Sequence, residues 1–265
     1  MTKPTPQKTK RKRTVILHLI QFPSVPGHPL KTLGNLKKWL GSLKTKQGDW
    51  ILLPEMWPAL FQPKDRLIQR LENAVCFHWL KGLARERGCF VAGSMLEMPG
   101  ARAYNSAFVI DPRGELKGSY RKIHLFPLSG EHRHFSAGKK THVVPIPGWH
   151  LGLAICYDLR FPDLFQNLAR QGAEIIFVPS AWPAARLDHF RTLLKARAIE
   201  GQCFVVGVNK CGPERDGLVF GGHSMVWDPW GLSLGELGNR RGILTVQLDL
   251  NRVTAIRKQY PFLRK

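Results

Sequence analysis

Apolar residues along this chain fall into two patterns that alternate from end to end. Runs of strand length, rich in β-branched residues, lie at Thr14–Gln21, Trp50–Leu53, Cys89–Met95, Ala103–Ile110, His150–Ile155, Glu174–Val178, Cys203–Asn209, His223–Trp227 and Ile243–Leu248. Stretches with apolar positions three and four apart lie at Leu30–Leu43, Arg66–Arg87, Asp163–Arg170 and Asp188–Glu200, and predict helices. So many strands exceed one small sheet, and their alternation with helices predicts an α/β fold. Asp111-Pro112-Arg113-Gly114 and Asp228-Pro229-Trp230-Gly231 each follow a strand and predict hairpin-type turns. The longest apolar runs, such as Val15–Ile20 and Phe204–Val208, fall far short of the roughly 20 residues that cross a bilayer.

Composition places the chain among globular proteins: 265 residues, 43% hydrophobic and 22% charged. Charge changes the picture more, because 40 Lys and Arg against 19 Asp and Glu give a net +21. The segment 1–13 carries six basic residues and no acid, and predicts a disordered basic tail. No linker or change in composition follows it, so 14–265 is expected to be a single domain. The remaining +15 on that body leaves nucleic acid or another polyanion open as a partner. The apolar stretch after the tail is strand-like and interrupted by His18, which is not the pattern of a secretory signal. Five cysteines without a CxxC pair or a zinc-like cluster predict a reduced, cytoplasmic protein.

Three segments carry candidate chemistry. In Trp50-Ile51-Leu52-Leu53-Pro54-Glu55-Met56-Trp57 an apolar strand runs into a carboxylate flanked by large apolar groups. Burial would favour the protonated acid and move Glu55 towards the range of a general acid–base group; a strand-end glutamate in water is the alternative. In Gly148 to Pro162 an apolar strand ends at Cys156 just before a helix start, a turn that can expose a nucleophile and leave the Tyr157 N–H free for an oxyanion. An isolated cysteine is more often an inert buried one, and Cys76, Cys89, Cys203 and Cys211 keep that reading. In Gly118 to Phe126 a lysine, Lys122, stands between a candidate strand end and an apolar loop.

Taken together these segments resemble the nitrilase superfamily of carbon–nitrogen hydrolases. Leu53-Pro54-Glu55 resembles the family's glutamate motif, Tyr120-Arg121-Lys122-Ile123-His124-Leu125-Phe126 its lysine motif and Ala154-Ile155-Cys156-Tyr157-Asp158 its cysteine motif, in the family's chain order. Gly130-Glu131 with Phe135 and Gly138 resembles the segment holding its second glutamate, and Asp188–Glu200 its Arg-Ala-x-Glu helix. Cys156-Tyr157-Asp158-Leu159-Arg160-Phe161-Pro162 is similar to the signature of ω-amidases and deaminated glutathione amidases. True nitrilases carry Trp-Glu after the cysteine and carbamoylases Asn-Asp.

The resemblance implies an α-β-β-α sandwich of two mixed sheets flanked by helices, a homodimer or higher oligomer, and no cofactor or metal. It also implies a catalytic set of Glu55, Lys122 and Cys156, with the Tyr157 N–H in the oxyanion site. The activity implied is hydrolysis of a small carboxylated amide to acid and ammonia through a thioester. Glu131 would position Lys122 or the substrate, with a plain surface-loop glutamate as the alternative. Trp182 is a candidate for lining the pocket or for packing, and Arg160 for a substrate contact or a structural bond. Arg197 and Glu200 are spaced for an ion pair, and His132-x-His134 lacks a third metal ligand. A carbamoylase-type hydrolase and a polyanion-binding protein on the same scaffold are the other readings.

Overall fold

A computed structural model describes residues 13–60, 66–214 and 217–263. The first half of the chain supplies β1 (Thr14–Gln21), α1 (Pro29–Leu40), β2 (Trp50–Leu52), α2 (Arg66–Arg87), β3 (Phe90–Glu97), β4 (Tyr104–Ile110) and β5 (Leu116–Arg121). The second supplies β6 (His142–Ile146), β7 (Trp149–Leu153), α3 (Pro162–Arg170), β8 (Ile175–Ser180), α4 (Leu187–Gly201) and β9 (Phe204–Asn209). It continues through β10 (Cys211–Pro213), β11 (Val219–Gly221), β12 (Met225–Trp227), β13 (Ser233–Glu236), β14 (Gly242–Asp249) and α5 (Asn251–Gln259). Pro29 and Pro162 open α1 and α3, where a missing N–H costs the helix nothing.

Two six-stranded sheets result, ordered β14-β1-β2-β3-β4-β5 and β13-β12-β9-β8-β7-β6. Each has three parallel strands at its centre, β1-β2-β3 in one and β7-β8-β9 in the other, with antiparallel neighbours outside. Each also closes through one of the expected turns. Asp111 Oδ1 accepts from the N–H groups of Arg113 and Glu115 between β4 and β5, and Asp228 Oδ1 from those of Trp230 and Leu232 between β12 and β13. An Asx-type bond of this kind stabilises a tight turn locally.

The period-two alternation sorts the layers. Trp50 and Leu52 pack between the sheets with Leu151 and Phe177, while Ile51 and Leu53 face Leu36 of α1 and Leu80 of α2. Trp50 stacks on Phe90 at 4.3 Å and meets Trp149 of the other sheet at 5.3 Å. On the far side, Phe190 and Leu194 of α4 lie so close to β9 that a Cβ on Gly207 would stand 2.5 Å from Leu194. The order is therefore helices, sheet, sheet, helices, the expected α-β-β-α sandwich.

The nine expected strands are all present, with ends shifted by up to a few residues. Short or edge strands β5, β6, β10, β11 and β13 add to them, as does α5, in which Val253 is the one buried side chain. Of the segment 1–13, only Arg13 is among the described residues; it is tied to Glu174 at 2.7 Å and to the Gly148 carbonyl. Arg197 and Glu200 form the expected ion pair at 2.8 Å. Among the described residues no helix is long and apolar enough to cross a membrane.

Candidate active site

Functional side chains gather at the edge where the parallel strands end, the usual ligand side of α/β sheets. Glu55 stands just beyond β2, whose pairing with β3 continues through the Leu53 N–H to the Ala92 carbonyl at 2.8 Å. Met56, next in the chain, has φ 43°, a left-handed value unusual for a side chain other than glycine. Ser94 holds that turn, because its Oγ accepts from the Met56 N–H at 2.9 Å and its carbonyl from the Trp57 N–H at 3.1 Å.

Cys156 also has φ 43° and opens a 3-10 turn, Cys156–Arg160, between β7 and α3. Asp158 organises this elbow. Its buried carboxylate accepts from the Ile155 N–H (2.9 Å), the Tyr120 hydroxyl (2.8 Å), the His124 N–H (3.0 Å) and His124 Nδ1 (2.8 Å). The cysteine turn and the lysine-bearing loop are thereby fixed to the same group. Lys122 itself follows β5, with its N–H on the Asn105 carbonyl at 2.9 Å.

The side chains converge on Lys122. Its ammonium donates to Glu55 Oε1 at 2.8 Å and to Glu131 Oε2 and Oε1 at 2.9 and 3.1 Å. Asn105 Nδ2 donates to the same two carboxylates at 2.8 and 3.2 Å, while its Oδ1 accepts from Ser94 Oγ at 3.0 Å. The second oxygen of Glu55 accepts from the Ala181 N–H, at the end of β8, at 2.9 Å. Glu131 Oε2 accepts from the Phe126 N–H at 2.6 Å. With Glu55 and Lys122 buried and the Glu131 side chain only 10% exposed, each charge is met by direct hydrogen bonds, the condition for keeping ions out of water.

These contacts decide the protonation states. Burial alone would raise the Glu55 pKa, but the charge and hydrogen bond of Lys122, with bonds from Cys156 and Asn105, hold it below the ordinary value. The sequence-based expectation of a raised Glu55 is therefore corrected: the cation beside it outweighs desolvation. Lys122 is held above its ordinary value, since burial opposes its charge but Glu55 and Glu131 more than compensate. Burial and the Glu55 charge push Cys156 well above a free thiol, against the opposing pull of Lys122. The resting pair is a protonated thiol beside an ionised carboxylate within hydrogen-bonding reach of it, an arrangement that can let a carboxylate take a thiol proton.

Above the cluster opens a cavity of about 420 Å3, whose walls include Tyr157, Trp182, Phe126 and Phe220 with Arg160 and Arg186. Trp182 both lines it and is packed: its ring lies 5.4 Å from Phe190, and its Nε1 donates to the Arg186 carbonyl at 2.7 Å. The Arg160 guanidinium lies 5.1 Å from the Trp182 ring and that of Arg186 5.7 Å from Phe126. Neither arginine makes an ion pair with an acid among the described residues.

Comparison with known proteins agrees with this geometry. The sequence model of the family described as carbon-nitrogen hydrolase matches residues 18–258. The chain belongs to the carbon–nitrogen hydrolase family. Among the similar proteins, 2-oxoglutaramate amidase of Bacillus subtilis (strain 168) is 35% identical over 91% of this hydrolase and 93% of its own length. Deaminated glutathione amidase of Synechocystis sp. (strain PCC 6803 / GT-S) is 33% identical over 84% and 88%. A mutant of the amidase from Nesterenkonia sp. AN1 has a similar fold, with TM-score 0.81 and 27% identity over 95% of this chain and 98% of that one. That structure carries the acetamide moiety of fluoroacetamide covalently on its active site cysteine. The protein is thus a hydrolase of carbon–nitrogen bonds, an amidase of the nitrilase superfamily.

The structure brings Glu55, Lys122, Cys156 and Glu131 together and puts Tyr157 and Trp182 on the cavity wall. Sequence reasoning missed Asn105, Ser94 and Asp158. Asn105 had a signal, being an amide inside the apolar run Ala103–Ile110, where a buried polar group demands partners. Asp158 had another: it sits in the cysteine motif, two residues after Cys156. Among the described residues no group of three or more His, Cys, Asp and Glu is placed to hold a metal ion.

Proposed function

We propose that this hydrolase converts a small carboxylated amide to the acid and ammonia through a thioester on Cys156. The observation that carries the reading is the closed cluster of Glu55, Lys122, Glu131 and Asn105 at the floor of the cavity beside Cys156. Glu55 takes the thiol proton as Sγ attacks the amide carbon, and the oxyanion is met by Lys122 Nζ and the Tyr157 N–H. The tetrahedral adduct collapses, the C–N bond breaks, and Glu55 returns the proton to the leaving ammonia. Water then gives a proton to Glu55 and attacks the thioester; Sγ leaves and recovers that proton, so the cycle closes. Glu131 holds Lys122 in place throughout.

A carboxylated substrate suits Arg160 and Arg186, two guanidinium groups on an otherwise mainly aromatic and aliphatic wall. The names of two relatives, 2-oxoglutaramate amidase and deaminated glutathione amidase, support the same class. We extend the reading to a homodimer or higher oligomer, as the family resemblance implies, and to a reduced, cytoplasmic setting, for which the five free cysteines are the support.

Ammonia release from matched carboxylated and uncharged amides, N-carbamoyl amino acids and nitriles tests the proposal, with Cys156→Ala as control. Turnover of the carboxylated amides alone, lost in Cys156→Ala, is expected. Turnover that survives the substitution overturns the mechanism, and a preference for carbamoyl compounds overturns the substrate class.

A further inference from the structure

Lys210 immediately follows β9 and is fully buried, yet it belongs to none of the family-like motifs. Its ammonium donates to the Met56 carbonyl at 2.9 Å and lies 5.9 Å from the Phe220 ring. Met56 is the left-handed residue next to Glu55. The peptide that turns the chain after the carboxylate is thus gripped at its two ends, by Ser94 at the Met56 N–H and by Lys210 at the Met56 carbonyl. Lys210 is itself anchored through its N–H on the Ser180 carbonyl (3.0 Å) and its carbonyl under the Gly222 N–H (2.9 Å).

Its neighbour Asn209, the last residue of β9, reaches the opposite side of the site. Asn209 Oδ1 accepts from the Trp182 N–H at 2.7 Å, and Nδ2 donates to the carbonyls of Trp182 (3.1 Å) and Gly222 (2.8 Å). The amide group therefore clamps the peptide groups flanking Trp182. Just before Trp182 is Ala181, whose N–H meets the Glu55 carboxylate and lies within reach of the Cys156 sulfur. A methionine would fill the Lys210 site without the cost of burying an ammonium. The Met56 carbonyl calls for a donor there, but a buried ammonium costs the fold more than a neutral donor would.

We propose that Asn209 and Lys210 are positioning residues that set Glu55 from two sides, Lys210 through the Met56 carbonyl and Asn209 through the Trp182 loop. The proposal rests on the reading of Glu55 as the base for Cys156. Both residues act through main-chain groups and touch no reacting atom. Burial lowers the Lys210 pKa to about 8, while Glu214 and Glu55 oppose that fall, so the ammonium is charged at neutral pH and its bond to Met56 is charge-assisted.

The test uses Lys210→Met, Lys210→Arg and Asn209→Asp in the full chain, read in three ways. These are kcat and KM on the best amide, the rate of Cys156 alkylation by iodoacetamide followed by mass spectrometry, and the thermal midpoint. Lys210→Met is expected to lower kcat and the alkylation rate about tenfold or more, the scale at which small misplacements of a catalytic group are felt. KM should stay within about threefold and the midpoint should not fall, while Lys210→Arg recovers most of both rates. Wild-type rates in Lys210→Met overturn the proposal, as does a loss of rate that tracks a loss of thermal midpoint. If Lys210→Met does not fold, Asn209→Asp decides by the same criteria. Failure of Cys156 to be alkylated ahead of the other four cysteines in the wild type would instead remove the nucleophile reading on which the proposal stands.

Discussion

Lys122 Nζ stands 2.8 Å from Glu55 Oε1 with both groups buried, and this contact reverses the direction in which burial alone would move the carboxyl. A base held as the carboxylate needs no prior deprotonation; the proton to be moved is the one on Cys156. In the proposed mechanism the same cation serves the resting state by keeping Glu55 ionised and the reaction by facing the oxyanion.

Glu55 should accordingly titrate below 4.5, its value outside the fold. Between its folded value and about 4.5 the unfolded chain binds more protons, so the stability it contributes is fully present above that range. It is lost as pH falls through the folded value. Infrared difference spectra of wild type against Glu55→Gln would follow the carboxyl band across pH. A midpoint under 4.5 is expected; a carboxyl still protonated at neutral pH contradicts the assignment of Glu55 as a ready base.

Asp158 carries a second prediction, because its two oxygens face four donors from two separate chain segments, Tyr120–His124 and the Ile155 turn. Asp158→Asn presents an N–H to some of those donors and removes the charge that His124 Nδ1 and the Tyr120 hydroxyl meet. The loss should be roughly 3 kcal/mol of unfolding free energy, the scale of breaking a buried charge-assisted network. Denaturant unfolding measures it. A variant within about 0.5 kcal/mol of wild type would show that the elbow is held by packing instead.

How far the sequence disclosed this site depends on where each partner lies along the chain. Strands buried on both faces, such as Ile175–Ser180 and Phe204–Asn209, read as continuous apolar runs and were legible. So were Glu55, Lys122 and Cys156, since each sits in a short local motif. β6 interrupts its pattern with Pro145, β13 is a polar edge, and α5 buries only Val253, so none carries a periodic apolar signal. The groups that hold the reactive ones escaped for another reason. Asn105 is 50 residues from Glu55, and Lys210 is 154 residues from Met56. No local pattern records contacts such as these, the first made between strands of one sheet that are far apart in the chain and the second only where the two sheets meet. The sign of the Glu55 shift escaped likewise, because it depends on a cation 67 residues away.

Lys210 yields a prediction about stability that is separate from its effect on rate. Its pKa falls from 10.5 to about 8 on burial, which corresponds to a penalty of about 3 kcal/mol on the folded state. Below about pH 8 the ammonium is present in both states and the penalty is complete. Between about 8 and 10.5 the unfolded chain binds the extra proton, so this residue's contribution to stability rises with pH. Lys210→Met has no such group. The difference in unfolding free energy between wild type and Lys210→Met, measured by denaturant at intervals from neutral pH to about 10.5, should therefore shift in favour of the wild type by an amount on the order of 3 kcal/mol. Parallel curves across that window would mean that Lys210 keeps an ordinary pKa and that its ammonium is not confined beneath Met56.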